Sequence, residues 1–264
     1  MMNISMSEDA PLLGKKVFFL HPSAVVQNRV ISELAQEEFE VYAAKDEIKL
    51  KEILKKYPDS IVLACINEGL KGDLWLKWIR EVMTESETAG VSIGVISLAD
   101  NAVDRQKYIE VLKVKCGYNV IKADVAQFNK QIATVLNNAE AKGRRKYIRL
   151  STEEDANTTV NIPISGSFLN GHIKDISVVG FSCVFDEDPE LKKGRVFHDI
   201  QLRLHSQLLN VEAIILGFRA DGEDEEKEKT YIMLFSQRVD TDERSKIRKF
   251  INSTLQTRMD YELR

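Results

Sequence analysis

Two short constellations in this 264-residue sequence combine residue types suited to gripping an anion. The first is Lys142–Arg149, which reads KGRRKYIR and holds five basic residues and no acid. Three residues separate Arg145 from Arg149, and Tyr147 and Ile148 between them can anchor the segment to a packed body. Two guanidiniums so placed can converge on one anion. The planar arginine fork makes two-point contacts with phosphate oxygens, or with the O6/N7 edge of a guanine. The second constellation is Asp175-Ile176-Ser177-Val178-Val179-Gly180. Asp175 can accept hydrogen bonds from the N1 and N2 donors of a guanine, and Ser177 can contact a phosphate or a base. Gly180 permits a close backbone approach or a tight turn.

The elements that must position these residues fall into two halves with different periods. Dividing the length by about 150 residues per domain gives two domains. Hydrophobic residues at 44% and charged residues at 30% are globular values, which excludes a wholly disordered chain. From Lys15 to about Lys142, apolar runs alternate with helical spacing. Strands are predicted over Lys16–Leu20, Val41–Ala44, Ser60–Ile66, Val91–Leu98 and Tyr118–Lys122. Helices are predicted over Val25–Phe39, Glu47–Tyr57, Leu74–Met83, Arg105–Lys115 and Val125–Ala141. Near-continuous apolar strands, each followed by a helix, describe a doubly wound parallel sheet covered on both faces. After Gly143 the runs become short and β-like: Thr158–Ile164, Gly171–Ile176, Gly180–Phe185, Val196–Leu204, Leu208–Phe218 and Lys229–Ser236. Turns are expected at Ser165-Gly166, Asn170-Gly171, Lys193-Gly194 and Asp221-Gly222. This spacing predicts a small antiparallel barrel. A helix over Asp242–Tyr261, capped by Asp240 or Thr241, closes the chain. The expected domains are therefore 15–141 and 151–261, joined by a basic linker over 142–150.

The N-terminal half resembles the receiver domain of bacterial response regulators, a flavodoxin-like fold, in the order and length of its elements. Its chemistry departs from that family. Receivers place an acidic pair after the first strand, where this chain reads Leu20-His21-Pro22. They place a phosphoacceptor aspartate after the third, where it reads Cys65-Ile66-Asn67. A hydroxyl and a lysine survive as Ser97 and Lys122. Without the carboxylates there is no hard-oxygen cage for magnesium and no acyl-phosphate acceptor. A degenerate receiver-like domain that is not phosphorylated is expected.

Arg145 and Arg149 before a small barrel, followed by Asp175, Ser177 and Gly180 on it, resemble the PilZ domain, the cyclic di-GMP receptor module. The resemblance covers about Gly143 to Tyr261, and all five motif positions match. It implies that Arg145 and Arg149 grip guanine edges and phosphates, while Asp175 and Ser177 bind the far side of the ligand. Arg144 stands where a further arginine favours an intercalated cyclic di-GMP dimer in that family. The resemblance also implies a protein partner, in the flagellar motor or another motility, biofilm or virulence system. The expected function is a cyclic di-GMP receptor that changes its inter-domain orientation on binding. The alternative is a signalling adaptor that acts by protein docking, with phosphorylation or without a ligand.

Other classes are disfavoured. Three cysteines without a Cys-x-x-Cys pair and four scattered histidines predict neither a zinc site nor a disulfide framework. No paired carboxylates, nucleophile triad or Walker loop is visible, so no catalytic residue, cofactor or enzymatic activity is expected. With 41 acids against 37 bases and a net charge of −4, nucleic-acid coating is not expected. The segment Asp221–Lys229, DGEDEEKEK, reads as an exposed acidic hairpin tip. A polar, acidic Met1–Ala10 stretch and the lack of any apolar run of roughly 18 residues predict a cytoplasmic protein without a membrane span.

Overall fold

The computed structural model describes residues 13–121, 124–164, 166–221 and 228–264. The chain forms two compact units: one holds residues up to Lys146 together with Gln256–Arg264, the other Tyr147–Leu255.

The first unit is a parallel sheet of five strands: β1 (Val17–Leu20), β2 (Val41–Ala44), β3 (Ile61–Cys65), β4 (Ser92–Ser97) and β5 (Tyr118–Val120). Their spatial order is β2-β1-β3-β4-β5, the flavodoxin-like order. Every residue of β1 and β3 is buried, which is why both read as unbroken apolar runs. The two faces are covered separately. Val17 and Phe19 join a core with Val30, Phe128 and Ile132, while Phe18 stacks on Tyr42 with ring centroids 5.4 Å apart. The helices are α1 (Ser32–Gln36), α2 (Glu47–Lys56), α3 (Asp73–Thr84), α4 (Ala102–Gln106) and α5 (Val125–Asn138). Asp46, Asn101 and Asp124 cap α2, α4 and α5 by accepting from the exposed amides of the first turn. Two of the expected helices are not uniform: Val26–Ile31 and Lys107–Val111 are wound as π-helix, and the second ends at Val111 rather than Lys115. Lys113 takes a φ of 56° and terminates it.

The second unit is a closed barrel of six antiparallel strands with a short extra strand at its entry. The strands are β6 (Leu150–Ser151), β7 (Thr158–Ile164), β8 (Ser167–Ser177), β9 (Gly180–Phe185), β10 (Val196–Leu204), β11 (Gln207–Asp221) and β12 (Glu228–Phe235). The order β8-β7-β10-β11-β12-β9 closes through a β8–β9 pairing, and β6 adds to β8 from outside. Alternate side chains fill the interior, among them Val160, Ile173, Phe181, Cys183, Ile200, Val211 and Tyr231. The last helix, α6 (Thr241–Glu262), closes this core with Ile247, Phe250 and Ile251. Its cap is Asp240, whose carboxylate accepts from the Glu243 amide at 2.8 Å. One expected turn is corrected. Asn170-Gly171 lies inside β8, because a Cβ on Gly171 would meet the Val184 carbonyl oxygen at 2.3 Å. The glycine serves a close strand approach, not a reversal. Turns do form at Gly166 and Gly194, with φ of 87° and 85°. The acidic tip lies mostly outside the described residues, as does Lys122.

Candidate functional site

The motif residues on the barrel are placed by strand register. β6 pairs with the end of β8 so that Leu150 faces Ile176 and Ser151 faces Asp175. The following Thr152 fastens the join, with its amide donating to the Lys174 carbonyl and its hydroxyl to that of Ile173. Just upstream, Tyr147 and Ile148 pack against the barrel core, as their apolar character predicts. Arg149, between these two anchors, is thereby brought to Asp175. Its Nη1 lies 3.5 Å from Asp175 Oδ1. The pair is open to solvent, with 47% of the arginine side chain and 22% of the aspartate side chain exposed.

Asp175 follows a bulge in the β8–β9 ladder between Ile173 and Asp175. Bulges re-aim a side chain, and here the aspartate is only half-buried. Its second oxygen accepts from the Ser182 hydroxyl at 2.6 Å. Ser182 is buried on β9 directly opposite Asp175. The sequence motif did not single it out. The available signal was alternation: Phe181, Cys183 and Phe185 face the interior, so Ser182 faces outward with Asp175.

Ser177 and Gly180 shape the turn rather than project from it. The Ser177 hydroxyl is buried, donates to the Gly180 carbonyl at 3.1 Å and accepts from the Val179 amide at 3.4 Å. Gly180 is required by proximity, not by φ. A Cβ there would stand 2.2 Å from the Met233 carbonyl oxygen on the neighbouring β12. Arg149, Asp175, Ser177 and Gly180 therefore share one edge of the barrel. Arg144 and Arg145 are exposed, in an irregular stretch grouped with the first unit.

At the strand ends where a receiver would hold its carboxylates, the described side chains of this unit make local contacts. His21 Nε2 lies 2.9 Å from Glu47, with the ring edge-on to Trp75. Asn67 accepts from the Leu98 amide at 2.7 Å, and Ser97 donates to the Ala99 carbonyl at 2.9 Å. These side chains fix loops. The three cysteines are buried thiols. Burial pushes the Cys65 thiol up to about 12 and raises Cys116 and Cys183. Among the described residues, no cluster of His, Cys, Asp and Glu could hold a metal ion, and no helix is long and apolar enough to cross a membrane.

The deciding comparison is with family models, where residues 143–253 match the PilZ domain. The match covers the C-terminal part of the chain, somewhat under half of its length. PilZ domains are receptor modules for cyclic di-GMP, not enzymes. Among solved structures, the chain is similar to the PilZ domain of YcgR from Escherichia coli with c-di-GMP, at 16% identity and a TM-score of 0.40, over 45% of this chain and 96% of that one. It is similar to Escherichia coli YcgR in complex with c-di-GMP at 17% identity and a TM-score of 0.37, over 46% of this chain and 50% of that one. It is also similar to the Bacillus subtilis inhibitor of motility MotI/DgrA at 17% identity and a TM-score of 0.34, over 47% and 56%. The chain thus spans about half the length of the last two. No curated protein matches the sequence.

Proposed function

We propose that this protein is a cyclic di-GMP receptor that acts on a protein partner. The observation that carries the reading is the assembled edge within the PilZ segment, where Arg149 stands 3.5 Å from Asp175 beside the Ser177–Gly180 turn. An ion pair this exposed is worth little on its own, so a ligand can replace it at small cost. Asp175 then accepts from the N1 and N2 donors of a guanine. Arg149 is released to pair with phosphate oxygens or with the O6/N7 edge. Arg145 and Arg144 supply further guanidiniums from the stretch before it, and Arg144 favours two ligands stacked as an intercalated dimer. Binding draws Arg144 and Arg145 onto the barrel edge and changes the orientation of the two units, which a protein partner reads. The receiver-like unit acts by docking and not by phosphorylation, given His21 and Asn67 at the positions that need carboxylates.

Calorimetric titration of cyclic di-GMP into the wild type and into Arg145→Ala/Arg149→Ala tests this. Binding by the wild type and a loss of at least about a hundredfold in the double variant are expected, from two charge-assisted contacts. Two ligands per chain would support the dimer, and one would remove it. No binding by the wild type overturns the receptor reading.

A further inference from the structure

The turn that carries the Asp175–Gly180 edge draws much of its support from outside itself. Two-residue hairpins favour positive φ at their central positions, because that twist matches the flanking strands. Here those positions are Val178 and Val179, both β-branched, and neither takes a positive φ. The turn is held by Ser177 from within and by two neighbours from outside. Its three successive carbonyls each accept a hydrogen bond: Val178 from Arg244 Nη1 at 2.8 Å, Val179 from the Phe235 amide at 2.9 Å, and Gly180 from the Ser177 hydroxyl at 3.1 Å. Arg244 stands in the first turn of α6, and its other two nitrogens are also used. Nη2 donates to the Ser236 carbonyl at 2.9 Å and Nε to that of Val239 at 3.2 Å. One guanidinium thus ties three segments together: the motif turn, the exit from β12 and the start of α6. A lysine, with a single nitrogen on a flexible stem, cannot span three carbonyls in fixed directions.

We propose that Arg244 is a positioning residue for the ligand edge, and that it couples this edge to α6. It holds the Ser177–Gly180 turn in the geometry that presents Asp175, and it passes a change at that turn to the first turns of the helix. The inference rests on the cyclic di-GMP reading above. Coupling of this kind is reciprocal: whatever ordering the ligand imposes on the helix, ordering of the helix returns as affinity.

Amide hydrogen exchange on the full chain, with and without cyclic di-GMP, tests it alongside calorimetry. The variants are Arg244→Lys and, as a control, Ile251→Val, which trims the buried face of the same helix. In the wild type, ligand should slow exchange across Thr241–Phe250 by about fivefold or more, the low end of ordinary allosteric coupling. Arg244→Lys should bind about fivefold more weakly and lose the helix response. Ile251→Val should keep both, whatever its melting temperature, since a purely structural role would make the two variants alike. A wild type that binds ligand with no change in α6 overturns the inference, even where Arg244→Lys does not fold. So does an Ile251→Val variant that loses the response to the same degree. A wild type that binds no ligand overturns the receptor reading itself, which is a separate outcome.

Discussion

Ser182 shows how a residue outside a motif can set the motif's strength. Its hydroxyl donates to one carboxylate oxygen of Asp175 while the other faces Arg149, and the aspartate is the group proposed to read the guanine edge. Ser182→Ala should weaken cyclic di-GMP binding about two- to tenfold, the range of one hydrogen bond that aims a carboxylate. The Arg149–Asp175 pair should survive, so binding should weaken rather than vanish, and calorimetry reads the difference. An unchanged affinity would mean that the bulge alone orients Asp175. A second residue-scale prediction concerns acid stability. The Lys229 ammonium and the Tyr231 hydroxyl, each 2.5 Å from Asp188, hold its carboxyl at about 2, below its ordinary 3.8. A depressed carboxyl adds stability above its unfolded pKa, and that stability is lost as pH falls toward the folded value. The contribution of Asp188 is therefore present above about pH 4 and fades between about pH 4 and 2. Asp188→Asn should lower the melting temperature at pH 6 and flatten its fall across that acid window. Equal shifts at pH 6 and pH 2 would show that the carboxylate's charge plays no part.

At the scale of elements, legibility followed burial pattern. Strands buried on both faces, such as β1 and β3, were legible as unbroken apolar runs. Barrel strands were legible through alternation, and β7, β9 and β10 have the bounds read from the sequence. β6 was missed because it has two residues and no period of its own, yet it is what sets Arg149 against Asp175. The π-helical turns were missed because an apolar spacing cannot distinguish one winding from another over a single turn. Gly171 was misread because a glycine signals either φ freedom or close approach, and only the neighbouring strand decides which. Arg244 had no signal either. Its partners are backbone carbonyls, which every sequence contains, so nothing marks the one arginine that reaches three of them. Arg149, Asp175, Ser177 and Gly180 were legible as a group that the fold brings to one barrel edge, and the ligand proposed for that edge is argued from their side-chain types.

The whole molecule adds a constraint from connectivity. The chain passes between the two units twice, once at Lys146–Tyr147 and once at Leu255–Gln256 within α6. The first passage lies immediately before Arg149 and the second at the far end of the helix that Arg244 begins. A ligand that rearranges Arg149 and stiffens α6 therefore acts on both connections. It can shift the arrangement of the units only by binding one arrangement more tightly than another; equal affinity for both shifts nothing. Paired fluorophores on Lys71→Cys and Ser206→Cys, exposed positions in separate units, would measure the result. The native thiols should stay unlabelled, because burial raises Cys65, Cys116 and Cys183 and thiolate is the reacting form. Saturating cyclic di-GMP should change the transfer efficiency, and adding Arg149→Ala should abolish the change. An efficiency that stays constant while calorimetry shows the site filled would remove reorientation as the output. The receptor would then signal through the surface of its barrel, with the bound ligand itself forming part of what the partner recognises.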